Sequence, residues 1–161
     1  MMSPRDGRLT SRPSRAGFTL IELMSVVAIL SLIAAIAIPR MQAVVRQAKI
    51  ARAIGDIRSL QSDILSYDIA GQNLPANLAV IGRAGLLDPW GHPYQYNPFP
   101  GGHGVPPGAR RDRFLVPINS SFDLYSLGED GKSVPPLTAQ SSQDDVVRAN
   151  DGGFIGLARK F

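Results

Sequence analysis

From Phe18 to Ile38 the chain is apolar or small at every position except Thr19, Glu22, Ser25 and Ser31. Wound as a helix, such a stretch is roughly 30 Å long, about one hydrocarbon thickness. Beyond Pro39 the pattern turns one-sided. Ile50, Ile54, Ile57, Leu60, Ile64 and Tyr67 recur at steps of three and four, with Arg52, Asp56, Arg58, Gln61 and Asp63 between them. This spacing predicts an amphipathic helix that continues the apolar one and ends at Gly71. Pro39 removes one backbone hydrogen bond at the junction and is expected to kink or loosen the helix there.

After Gly71 helical periodicity gives way to turns and short alternating runs. Leu78–Ala84 reads as a helical turn or two, and Gly85–Gly91 carries the Pro and Gly of tight turns. Pro93–Asn97 alternates as a strand, Arg113–Ile118 reads as a second and Phe122–Ser126 as a third, with Asn119–Ser121 as a hairpin connection between the last two. The expected product is an α+β fold: a long N-terminal helix whose second half carries a small antiparallel sheet. Trp90, Tyr94 and Tyr96 are expected to fill the helix–sheet interface rather than form a stacking platform, and Asp88 before Pro89 is expected to be a turn former.

Composition narrows the functional classes. At 161 residues the chain fits one modest globular domain plus the apolar segment. The formal charge of +4 does not point to nucleic acid. Residues 1–17 hold four Arg and one Asp, which leaves thirteen basic against twelve acidic residues among the total of 17 and 13. Arg110, Arg111 and Arg113 lie in a Pro/Gly-rich loop with Asp112 among them, not in a basic, aromatic-interleaved patch. With no cysteine, a disulfide scaffold, a thiol nucleophile and a Cys-based zinc site are excluded. No Ser/His/Asp set, paired-carboxylate cleft or phosphate loop stands out, so the expectation is that the protein is not an enzyme.

The N-terminus has the outline of a secretory signal, a basic leader before an apolar run, but its small residues Ala16-Gly17 precede the run and Glu22 lies inside it. An uncleaved single-pass anchor, with its Arg-rich end in the cytoplasm, is the other simple reading. In an uncleaved anchor Glu22, within about one turn of Phe18, reaches the lipid headgroups. A charge at the centre of such a segment costs on the order of 2.5 to 3.5 kcal/mol on insertion scales and normally survives with a partner or a function.

Gly17-Phe-Thr-Leu-Ile-Glu-Leu23, behind a basic leader, resembles the processing motif of the type IV pilin superfamily at every position. Asp88-Pro-Trp-Gly-His-Pro-Tyr-Gln-Tyr96 and Phe122-Asp-Leu-Tyr-Ser-Leu-Gly-Glu-Asp-Gly131 are similar to two segments of the major pseudopilin of type II secretion. The loop from Pro98 to Arg113 is longer and more basic than in that family, and the tail Asn150–Phe161 extends past its usual end.

The resemblance implies a division into a cleaved prepilin leader (residues 1–17), a membrane and fibre-core helix (18–39), an amphipathic helix (40–70) and a periplasmic sheet region (71–161). A prepilin peptidase is expected to cut between Gly17 and Phe18, and Phe18 to be N-methylated. Glu22 then becomes a docking residue that meets the terminal amine of a neighbouring copy in a homo-oligomeric helical fibre. In the major pseudopilins the loops matching Leu127–Gly131 and Asp144-Asp145 bind calcium. The implied ligands here are the side chains of Asp130, Asp144 and Asp145 with backbone oxygens of Leu127 and Lys132, although a turn at Asp130-Gly131 and a helix N-cap at Asp144-Asp145 account for the same residues. Implied partners are minor pseudopilins, an inner-membrane platform protein, an assembly ATPase and, indirectly, a secretin. The major pilin of a surface type IV pilus and a single-pass anchored binding protein are the alternatives.

Overall fold

The computed structural model describes residues 17–99 and 105–161, apart from the side chain of Gln72. The leader, residues 1–16 above all, and the centre of the Pro98–Pro107 loop lie outside the described residues. Helix α1 spans Leu20–Tyr67 and is followed by a π-helical turn, Asp68–Gln72. Gly71, at φ 79°, turns the chain out of the helix as expected. Pro39 sits inside α1 without interrupting it. The expected loosening is therefore not a break: one missing N–H deletes one bond of the ladder, and the bonds on either side persist.

The chain divides into two compact units, Met1–Gln42 and Ala43–Phe161. In the first, the large apolar residues of α1 are exposed all round, from Leu20 to Met41. In the second, Ala53, Ile57, Leu60 and Ile64 are buried, with Ile50 and Ile54 packed beside them. The one-sided spacing thus becomes a core-facing stripe.

That stripe packs on a four-stranded antiparallel meander: β1 (Gln95–Pro98), β2 (Phe122–Ser126), β3 (Val146–Ala149) and β4 (Phe154–Leu157), ordered as in the chain. One face of the sheet contributes Phe122, Leu124, Val146 and Leu157 to the helix-side core, with Tyr94 among them and Trp90 and Tyr96 packed against it. The aromatic residues are core, as expected. The Tyr94 hydroxyl also donates to Asp56 Oδ2 of α1 at 2.9 Å, joining the sheet's entry to the helix.

The other face is covered too. Val147 and Ala149 pack with Ile118, Leu137 and Ala158. Two expectations fail here for one reason. Arg113–Ile118 is not a strand: Asp112 and Leu115 exchange backbone bonds of 3.0 and 2.7 Å across a tight turn with Arg113 at φ 43°. Phe114 is consequently fully exposed at 100%. Asn119–Ser121 accordingly joins no hairpin. Two strands that the sequence pattern did not predict, β3 and β4, lie after the last expected strand. Buried on both faces, β3 shows no alternation, and it carries a buried arginine, Arg148.

Candidate functional site

Three features of the sequence pointed to function: the N-terminus of α1, the two turn segments and the carboxylates after β2. At the N-terminus, Gly17, Phe18 and Thr19 precede the helix, and Phe18 is 88% exposed. Thr19 caps α1: its hydroxyl accepts the Glu22 N–H at 3.2 Å, and Glu22 Oε2 lies 3.4 Å from the Thr19 N–H and 3.3 Å from its hydroxyl. This reciprocal capping box was legible in the Thr-x-x-Glu spacing but was not read there. It fixes the Glu22 carboxylate at the start of the helix, where the helix dipole also favours a negative charge. Both partners are on the surface, so the carboxylate remains open to a cation from outside. Beyond it, α1 is long and apolar enough to cross a membrane.

The two turn segments touch each other. Asp88 is buried; its Oδ1 accepts the N–H groups of Trp90 (3.0 Å) and His92 (2.8 Å), and its Oδ2 accepts the Ser126 hydroxyl at the end of β2 (2.6 Å). Asp88 is a turn former, as expected. The turn after β2 then folds over it: Gly131, at φ 67°, lies so close that a Cβ there would come within 2.7 Å of His92 Nε2. Arg46 of α1 reaches the same turn through Glu129 at 3.1 Å.

Of the expected calcium ligands, Asp130 and Asp144 meet at the turn after β2, whereas Asp145 has other partners. Asp144 Oδ2 accepts the N–H groups of Glu129 and Asp130, at 2.8 and 3.0 Å, and so fastens the turn. Asp130 Oδ1 accepts the Lys132 N–H at 2.8 Å. Leu127 and Lys132 flank that turn. Asp145 faces the other way, under the sheet: its Oδ2 accepts the Arg110 guanidinium at 2.6 Å and the Ser133 hydroxyl at 2.5 Å. Burial pushes the Asp145 carboxyl up to about 6, while Ser133 and Arg110 act in the opposite direction. Among the described residues no three Asp, Glu, His or Cys side chains converge as a metal cage, and a calcium ion takes six to eight oxygens. As arranged, Asp145 is engaged by Arg110 and Ser133, away from the turn that Asp144 fastens. Arg110, which nothing in the sequence singled out as a partner of Asp145, is the residue that sequence reasoning missed.

Residues 12–38 match the family described as the prokaryotic N-terminal methylation motif. The type II secretion system core protein G of Pseudomonas aeruginosa is 34% identical over 142 residues, covering 75% of this chain and 88% of that protein. The protein of the same name from Pectobacterium carotovorum subsp. carotovorum is 29% identical, over 71% of this chain and 76% of the relative. A fimbrial protein of Pseudomonas aeruginosa is 39% identical, but over 61 residues that span 38% of this chain and 40% of its own. No solved structure matches the chain.

Proposed function

The chain belongs to the family of the type II secretion system core protein G, the major pseudopilin, and on that premise we propose how it works: copies of it, processed at Gly17-Phe18, stack into a periplasmic fibre through Glu22. The observation that carries this is the exposed apolar first half of α1 with one carboxylate in it. Between Phe18 and Pro39 no other side chain is charged.

Cleavage by a prepilin peptidase frees an amine at Phe18, four positions before Glu22, and N-methylation leaves that amine cationic. While the helix lies in the inner membrane, lipid covers its apolar surface. When an assembly ATPase and a platform protein lift subunits into a fibre, neighbouring helices replace the lipid. Glu22 then enters a medium where an unpaired charge costs several kcal/mol, and the amine of a neighbouring Phe18 neutralises it. The pair therefore selects the register in which both charges are matched and penalises the others. Minor pseudopilins begin the fibre, the sheet-bearing unit lies in the periplasm, and growth helps move folded cargo toward a secretin. A surface pilus reading is less well supported, because the fimbrial match stops at 38% of the chain.

The test uses two substitutions that separate capping from charge. Glu22→Gln keeps an oxygen for the Thr19 bonds and removes the charge; Glu22→Ala removes both. In a strain producing each variant with its secretion apparatus, fibres released by opening the outer membrane and counted by electron microscopy should fall at least tenfold for both, with cleavage unchanged. Normal assembly by Glu22→Gln would show that Glu22 acts only as a helix cap.

A further inference from the structure

We propose that Arg110 is a built-in cation that takes the place of a calcium ion in this subunit, so that its C-terminal segment is fastened without metal. The argument begins with what surrounds the guanidinium. One terminal nitrogen, Nη1, donates to the Ser133 hydroxyl at 2.5 Å and to the Val134 carbonyl at 2.7 Å, and the other, Nη2, donates to Asp145 Oδ2 at 2.6 Å. A carboxylate, a hydroxyl and a backbone carbonyl are oxygen donors of the kind a hard cation collects. These three belong to residues 133, 134 and 145, so one positive charge ties the two ends of the Ser133–Asp145 segment together.

The cation is held in place from every side. Its own backbone N–H donates to Asp123 Oδ2 at 2.7 Å, on β2, and the guanidinium lies 4.3 Å from the centre of the Tyr125 ring. Backbone bonds from Arg111 N–H to the Pro135 carbonyl (3.1 Å) and from Leu137 N–H to the Arg111 carbonyl (2.9 Å) fix the neighbouring chain on the same segment. The side chains of Arg110 and Asp145 are 2% and 0% exposed. A divalent ion added at Asp145 would share one carboxylate with a guanidinium in a place that solvent does not screen, and like-charge repulsion there is strong. Asp145 Oδ1 and Arg110 Nε are buried without hydrogen-bond partners.

The experiment uses the full chain in detergent, with thermal unfolding followed by the fluorescence of Trp90, the single tryptophan, which packs against the helix-side core. In millimolar calcium chloride and in excess calcium-selective chelator, the midpoint should be the same within about a degree, because there is no ion binding to shift it. Arg110→Met should lower the midpoint by roughly 10 °C, the scale for stranding one member of a buried pair in a unit of this size. Arg110→Met combined with Asp145→Leu should recover part of that loss. A midpoint several degrees higher in calcium than in chelator overturns the proposal, as does an Arg110→Met loss that Asp145→Leu leaves unrelieved. If Arg110→Met does not fold, the calcium comparison on the unaltered chain decides alone.

Discussion

Leu30 and Leu60 lie on the same helix, and truncating each to Ala should give opposite results. Leu60 is 0% exposed in the core between α1 and the sheet, whereas Leu30 is 59% exposed in the apolar half. Leu→Ala removes three carbons, about 2.4 kcal/mol at ~0.8 kcal/mol per buried methylene, and the cavity left behind raises the cost to roughly 3–5 kcal/mol. In a unit of this size each kcal/mol lowers the melting midpoint by about 3–6 °C, so Leu60→Ala should lose on the order of 10–25 °C. Leu30→Ala should change the stability of the sheet-bearing unit by less than ~0.5 kcal/mol, as exposed positions do, and should instead weaken fibre assembly. The assay is Trp90 fluorescence against temperature for both variants in the same detergent. A Leu30→Ala midpoint that falls as far as that of Leu60→Ala would refute the division of α1 into a covered and an uncovered half.

Two further outcomes follow from local geometry. Gly128 and Gly85 both have positive φ, at 67° and 75°, but a Cβ at Gly128 would lie 2.6 Å from the Asp144 carbonyl oxygen whereas Gly85 has nothing within 4 Å. Gly85→Ala should therefore cost about 1 kcal/mol in urea denaturation, the left-handed backbone alone, and Gly128→Ala distinctly more, because Asp144 must move off the turn it fastens. Asp151 is set below the usual carboxylate range: burial opposes its ionisation, but the Ser120 hydroxyl and N–H, the Arg148 charge and the Ser121 hydroxyl together outweigh it. Its contribution is thus present above the unfolded carboxylate pKa of about 4 and is lost as pH falls through the lower folded value, so Asp151→Asn should destabilise more at about pH 7 than at about pH 3; an equal loss at both would show that the charge is irrelevant.

The helix and its two characters were legible because both rest on spacing within one element. The same is true of Asp88, whose turn is local, and of β1 and β2, whose apolar residues alternate. Long-range partners were not. Arg148 bonds Gln61 Oε1 at 2.9 Å across a separation of 87 residues and stacks 3.9 Å from the Phe122 ring, so a strand that carries an arginine is core. The Asn150–Gly153 run between β3 and β4, with Asn150, Asp151 and Gly152 all at positive φ, was the available sign of a hairpin. Phe114-Leu-Val116 misled in the other direction, since an apolar run records what a strand needs and not that the turn at Asp112–Leu115 has turned it outward. Arg110 and Asp145 are 35 residues apart, and no spacing rule joins them.

The central claim is that this chain is a processed subunit of a fibre, and the intact mass of the protein in fibres released from the periplasm tests it most directly. Fibres from cells making the chain with its secretion apparatus should yield a species that begins at N-methylated Phe18. Fibres without that species, or with residues 1–17 still attached, would contradict the account.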